Sequence, residues 1–188
     1  MKREFIGPLN PTLWRTCRIL SGKTRLALLR RLLQEPGQTV TQLAKAEGLS
    51  LPRASQELRR LHSRGLLQAE RIGAFVRYWP QPDPQVSTAK PILQAVRDMW
   101  DRFPLEGEAH IQSIAEGLSY PRRIDMVREL KKGAIGGAAL QAAVRLPTVS
   151  LWRHFRALQQ SGWVEREGRL WRVAPNDYPL AECLMNLL

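Results

Sequence analysis

The chain carries one sequence pattern twice, and this repeat constrains its fold more than any other feature. Residues 20–33 read LSGKTRLALLRRLL, and residues 118–131 read LSYPRRIDMVRELK, at an offset of 98. A second block, residues 49–67, is matched by residues 146–164 at an offset of 97. A repeat of two helical blocks in a fixed order indicates two copies of one domain in a single chain.

The composition favours a protein that binds a polyanion. Of the 188 residues, 44% are hydrophobic, so the chain can build folded cores. Its 29 basic and 17 acidic residues give a net charge of +12, which favours nucleic acid first and an anionic membrane surface second. Residues 1–86 hold fifteen basic and six acidic groups, whereas residues 87–188 hold fourteen and eleven. The first copy is therefore the better electrostatic match to phosphate.

Cysteine usage and hydropathy favour a cytoplasmic protein without membrane spans. Cys17 and Cys183 are the only cysteines, and both occupy apolar positions that suit core thiols. The N-terminus, MKREFIGPLNP, lacks the apolar run of a signal peptide, and no stretch approaches the 18 apolar residues of a membrane helix. We expect no metal and no cofactor.

Apolar spacing predicts helices at the start of the first copy. Asn10 or Thr12 is expected to cap the first of them. A second helix is predicted over residues 23–34, where leucines recur at helical spacing and Arg25 is expected to point outward.

The remainder of the first copy predicts a winged helix-turn-helix. A short helix ends near Gly48, and a long helix over residues 51–63 is expected to be capped by Ser50. Residues 66–79 alternate as a β-hairpin around Gly73. Short helix, turn, long helix and hairpin, in that order, form the winged helix-turn-helix pattern.

The second copy repeats this order and completes the predicted domain organisation. We predict a fold that is mostly α with small β-hairpin wings, built from tandem winged helix-turn-helix domains. Helix 88–103 should pack the copies together with the tail 180–188. The predicted second-copy helices cover residues 108–117, 121–132, 137–144 and 148–161, and its hairpin covers 163–172. The predicted divisions are a first winged-helix domain at 1–82, a linker with the packing helix at 83–107, and a second winged-helix domain at 108–188.

Polar residues on the outer face of the long helix are the candidate DNA contacts of the first copy. Arginine can pair with guanine through two hydrogen bonds, and glutamine can do the same with adenine. Arginines on the hairpin suit phosphate or minor-groove contact. The alternative is a charged face exposed only to solvent. The candidates are Arg53, Ser55, Gln56, Arg59 and Arg60 on the helix and Arg71 and Arg77 on the hairpin.

The second copy offers a different set of candidate contacts. Trp152 takes the place of Ser55, and such an outward ring could stack against the other copy or wedge on a base. Packing between the copies is the alternative to DNA contact for this helix. The candidates are Ser150, Arg153 and Arg156 on the helix and Arg169 at the hairpin.

The first copy resembles the ArsR-like family of winged-helix transcription regulators. The resemblance lies in TRLALLRRLL, in TVTQLAKAEGLSLPRASQELRRLHSRGLL and in the hairpin ending RYW. It implies DNA contacts at Arg53, Ser55, Gln56 and Arg59, and in the family these are made by homodimers on near-palindromic operators, often with an inducer. Metal-sensing members carry paired cysteines on the short helix, where this chain has LAKAE at residues 43–47, so a thiolate metal sensor is not expected.

No arrangement of residues predicts catalysis. The acidic residues show no paired-carboxylate setting, and no nucleophile lies beside a base. His62, His110 and His154 are dispersed, and surface or DNA-adjacent positions are expected for them. We therefore expect a protein that is not an enzyme.

The sequence favours a sequence-specific duplex DNA-binding transcriptional regulator that acts as an intramolecular pseudo-dimer. A monomer with pseudo-two-fold symmetry is expected, with a homodimer as the alternative. One rival is a plasmid- or phage-type replication initiator, which can also use tandem winged helices. The other is a tandem winged-helix protein-interaction adaptor, which the net charge of +12 disfavours because such adaptors tend to be acidic.

Overall fold

The computed structural model describes residues 12–188, which form ten helices and six short strands. The helices are α1 (Leu13–Leu20), α2 (Lys23–Gln34), α3 (Val40–Ala46), α4 (Leu51–His62), α5 (Ala89–Arg102), α6 (Gly107–Gly117), α7 (Pro121–Lys131), α8 (Gly137–Val144), α9 (Thr148–Gln160) and α10 (Pro179–Asn186). The strands are β1 (Gln38–Thr39), β2 (Gln68–Ile72), β3 (Phe75–Trp79), β4 (Ile135–Gly136), β5 (Val164–Glu167) and β6 (Leu170–Val173). The predicted fold class is confirmed. Of the two predicted caps of α1, Asn10 lies outside the described residues, and Thr12 stands at the N-cap without a capping hydrogen bond from its side chain.

The first unit (α1–α4 with β1–β3) is a helix-turn-helix closed by a hairpin. Helix α3 begins with a capping box in which the Gln42 amide N–H donates to Thr39 Oγ1 at 3.3 Å and the Thr39 amide N–H donates to Gln42 Oε1 at 2.9 Å. Ser50 stands at the N-cap of α4, but the prediction that its side chain caps the helix is wrong. One of the two N–H donors that such a cap would satisfy is missing, because Pro52 occupies that position.

The second unit (α6–α9 with β4–β6) repeats this architecture. Both sheets are antiparallel with the last strand in the middle, in the orders β1-β3-β2 and β4-β6-β5. Gln38 pairs with Tyr78 in the first sheet as Ile135 pairs with Trp171 in the second. The Tyr78 and Trp171 side chains are both buried, so each hairpin is anchored to its unit through its middle strand.

Helices join the two units into one hydrophobic core. Helix α1 packs against α6, and α5 packs against both α6 and α10. Equivalent arginines of the two units bind the segments that follow α5 and α10. Arg30 of α2 donates to the Pro104 carbonyl at 2.7 Å, and Arg128 of α7 donates to the Leu188 carbonyl at 3.4 Å. The predicted packing of the 88–103 helix against the tail is confirmed. The domain boundaries stay predictions.

A glycine permits the close approach of α5 and α6. A Cβ atom placed on Gly107 would lie 2.8 Å from the Met99 carbonyl oxygen and 3.1 Å from the Trp100 ring, both on α5. A Cβ atom essentially never lies within 3.0 Å of a backbone oxygen, so a side chain here would push the helices apart. None of the helices within residues 12–188 combines the length and the apolar character that crossing a bilayer requires.

Candidate nucleic-acid interface

The outer face of α4 is polar and mostly basic, as predicted. Four candidate side chains on it are exposed, and the Ser55 side chain is half-buried. Apolar residues Ala54, Leu58 and Leu61 hold the opposite face in the core. A helix anchored on one side with a polar free side has the form that fits a major groove. The four exposed candidates are Arg53, Gln56, Arg59 and Arg60.

A buried ion pair anchors α4 to α2. Glu57 lies on the inner side of α4, where Arg25 Nη1 donates to it at 2.9 Å and Arg60 Nη1 at 2.8 Å. Arg25 also donates to the Ile19 and Arg18 carbonyls at the end of α1. The prediction that Arg25 points outward is therefore wrong, because its guanidinium satisfies a buried carboxylate and two helix-end carbonyls.

The charge of Glu57 is stabilised by its two arginines. Burial alone would raise the pKa of the Glu57 carboxyl, but hydrogen bonds and charge attraction from Arg25 and Arg60 outweigh burial and lower the pKa below its ordinary value. Glu57 therefore stays ionised. Arg60 is occupied by this pairing, which makes it less available to DNA than its exposure suggests.

The remaining α4 candidates differ in whether their side chains already have partners within the protein. Arg53 Nη2 donates to Thr24 Oγ1 at 3.3 Å, a long bond between exposed groups that a competing partner can replace. Neither Gln56 nor Arg59 forms a side-chain hydrogen bond or an ion pair anywhere in the described range 12–188. These two side chains are the least committed donors on the face.

The hairpin β2–β3, here called the first wing, has an exposed tip. Arg71 at this tip is exposed, with one long bond from its Nε to the Gly73 carbonyl at 3.4 Å. Arg77 is half-buried and donates to the Gly37 carbonyl at 2.8 Å, so it supports the turn before β1. Ile72 and Phe75 are also exposed beside Arg71, an apolar feature of the tip that the sequence analysis did not identify.

Helix α9 presents arginines beside a tryptophan. Arg153 and Arg156 are exposed, and Ser150 is half-buried in the first turn. Trp152 is 49% exposed, and its ring centroid lies 6.2 Å from that of Trp171 in the same unit. The Trp152 ring packs against aromatic rings of its own unit and does not stack against the other copy, as one of its two predicted roles required. Arg169, on the turn between β5 and β6, is exposed.

A histidine replaces the buried carboxylate in the second unit. The repeat places Arg123 at the position of Arg25 and His154 at that of Glu57. Arg123 donates to the Glu116 carbonyl at 2.6 Å and lies over the Tyr120 ring at 4.8 Å. His154 is buried, so the prediction of a surface position is wrong. It lies on the inner side of α9, the helix that packs against α7.

The neutral form of His154 is favoured by its surroundings. Burial lowers the pKa of His154 below its ordinary value, and the nearby charges of Arg123, Arg153 and Arg122 lower it further. Its Nδ1 atom has no hydrogen-bond partner among residues 12–188. Protonation would place a charge in a buried, already positive site.

The cysteines behave as packing groups. Cys17 is fully buried, and burial raises the pKa of its thiol far above the ordinary value. Cys183 is half-buried, and burial raises its pKa to about 11. Thiols of this kind are poor nucleophiles and poor metal ligands, because both roles need the thiolate. Within the described residues, no group of three or more His, Cys, Asp or Glu side chains is placed to hold a metal ion.

Comparison with known proteins identifies the first unit. Residues 22–68, which run from the start of α2 to the start of β2, match a family model described as winged helix-turn-helix DNA-binding. No curated protein matches the chain. The chain therefore contains a winged helix-turn-helix DNA-binding domain, and its second unit has the same element order without a family match.

Proposed function

We propose that the protein is a sequence-specific duplex DNA-binding transcriptional regulator that uses its two units as an intramolecular pair. The observation that carries this proposal is the outer face of α4, which is exposed, basic and rigidly held, within the segment that matches a DNA-binding family. Nothing in this role requires catalysis, a metal or a cofactor.

The side chains of α4 and the first wing have distinct roles in this proposal. Gln56 and Arg59 contact base edges, because they are exposed and uncommitted among the described residues. Arg53 joins them by leaving Thr24, whose hydroxyl is a weak competitor for a guanidinium beside DNA. Arg71 contacts phosphate and adds affinity without base preference.

In this proposal the two units of one chain supply the two recognition helices that a homodimer would supply from two chains. A single recognition helix covers a few base pairs, and a second must lie about one DNA turn away to extend the site. The α1–α6 and α5–α10 contacts, with the matching anchors Arg30 and Arg128, support a pseudo-two-fold arrangement of the units. Since α4 and α9 present different residues, the preferred site should consist of two unlike half-sites.

Selection of bound sites from random duplex DNA, followed by binding to the selected site, tests this function. We expect Gln56→Ala or Arg53→Ala to weaken binding by about 1–3 kcal/mol and to relax base preference, as loss of a base contact does. Lys90→Ala, which removes an exposed charge on α5, is the control and should have little effect. Unchanged isotherms for Gln56→Ala and Arg53→Ala would show that α4 does not recognise the bases.

A further inference from the structure

A pocket lies between α9 and the hairpin β5–β6, here called the second wing. Its volume is about 540 Å³, within the range of small-ligand sites. The floor is aromatic: the Phe155 and Trp171 rings are stacked at 4.1 Å and buried, and Trp152 stands beside them with about half of its surface free. The Trp152 ring is therefore an open stacking surface at the edge of the pocket.

The pocket is also strongly basic. Arg153, Arg156 and Arg166 line it, and no acidic side chain does. Arg153 and Arg156 are three residues apart on α9 and so share a face, while Arg166 lies opposite Trp171 in the strand register. None of the three forms an ion pair with any residue from 12 to 188.

The acidic residues of the second wing are directed away from this site. Glu165 and Glu167 flank Arg166 on β5 and therefore face the other side of the hairpin. Arg172 neutralises both, at 2.7 Å and 3.3 Å. The positive charge of the pocket is thus left without an acidic counterpart, while the opposite face is balanced.

The residues that give this pocket its character are present in the second unit and differ in the first. At the equivalent positions of the first unit, Ser55 stands for Trp152, Gln56 for Arg153 and Ala69 for Arg166. The first unit therefore lacks both the stacking ring and two of the three arginines. These three differences add one aromatic surface and two positive charges at a single site. They favour an aromatic anion as the ligand, because its ring can stack and its charge can pair with arginine.

We propose that this pocket binds a nucleoside phosphate, with the base stacked on Trp152 and the phosphate held by Arg153, Arg156 and Arg166. A nucleotide is the aromatic anion available to a protein with a DNA-binding domain. It can come from a free nucleotide or from an unpaired nucleotide of a DNA strand, since both offer the same base and phosphate. This site does not depend on duplex recognition by α4.

Direct binding to the full chain tests the site. The probes are dAMP, deoxyadenosine and inorganic phosphate by titration calorimetry, and a short fluorescent deoxyadenylate single strand by anisotropy. The variants Trp152→Ser, Arg153→Gln and Arg166→Ala each install the residue that the first unit already carries, so the fold should tolerate them. Lys90→Gln, on α5 outside the pocket, is the charge-matched control.

We expect dAMP or the single strand to bind the wild type more tightly than deoxyadenosine or phosphate alone. Trp152→Ser should weaken that binding about tenfold, as loss of a stacked base does, and Arg153→Gln and Arg166→Ala should each weaken it severalfold. Lys90→Gln should bind as the wild type does. Binding of dAMP identifies a free-nucleotide site, whereas binding of the strand alone identifies a strand site.

Two results would overturn the proposal. One is that neither dAMP nor the strand binds, or that both bind the three variants as they bind the wild type. The other is that dAMP and the strand bind no more tightly than inorganic phosphate, or that Lys90→Gln weakens them as much as the three variants do, which would reduce the binding to general charge attraction. Binding of dAMP that stays unchanged in the Gln56 and Arg53 variants, while their duplex affinity falls, would establish this site separately from the function of α4.

Discussion

Glu57 links α4 to α2 through its ion pair with Arg25. Replacing it with alanine would leave Arg25 partly buried without its carboxylate, and removal of one partner from a buried pair is strongly destabilising. We expect Glu57→Ala to lower the free energy of unfolding by about 3 kcal/mol, measured by urea denaturation.

A surface ion pair provides the matched control for Glu57. Arg31 is half-buried and Glu35 is exposed, and the two charged groups are 3.7 Å apart, so Glu35→Ala should cost less than about 1 kcal/mol. Equal losses of stability in the two variants would show that the Arg25–Glu57 pair is no more than a surface contact.

His154 should make stability depend on pH below neutrality. Because its pKa is lowered in the fold, the unfolded chain takes up its proton at a higher pH than the folded chain does. The stabilisation is present above the unfolded pKa of about 6.5 and is lost as the pH falls towards the folded value. We expect the free energy of unfolding to fall as the pH drops below the unfolded pKa of about 6.5.

Substitution separates His154 from the other titrating groups. His154→Gln should reduce this pH dependence, measured by urea denaturation of the variant and the wild type at each pH. The account of His154 fails if its variant and the wild type lose stability equally over that range.

At the scale of elements, the first wing should add affinity without sequence preference. Arg71→Ala should weaken binding to all duplexes alike and reduce the slope of log affinity against log salt by about 1, because one phosphate contact is lost. The measurement is a salt titration on the selected site and on an unrelated duplex, with Lys90→Ala as control. Weakening confined to the selected site would instead assign Arg71 to base recognition.

The elements were predictable because the spacing of apolar residues follows helix and strand periods. Helix α2 has the predicted ends, and α4 differs from its prediction by one residue. The turn at Gly73 also lies where predicted, and its positive φ suits glycine. Local sequence therefore determines where these elements begin and end.

The partners of individual polar side chains were not predictable from local spacing. Arg25 and Glu57 are 32 residues apart, and only the packing of α2 on α4 brings them together. Likewise, Trp152 meets Trp171 only because the second wing folds back onto α9. The repeat does predict one of these burials. Glu57 and His154 are at equivalent positions on the inner sides of their helices, so both could have been assigned to the interior.

At the scale of the whole molecule, the proposed pairing of units within one chain rests on the helices that join them. Helix α1 packs against α6 and α5 packs against α10, within one hydrophobic core. The buried side chains Ile92, Val96 and Met99 lie on the inward face of α5. The two units are therefore built into one body before any DNA is bound.

The stoichiometry of the complex tests this account most directly. Sedimentation of the free protein and of its complex with the selected duplex gives the number of chains in each. We predict a free species near 21.5 kDa and one chain per duplex carrying two unlike half-sites. A stable dimer of chains bound to a symmetric operator would contradict the intramolecular pair.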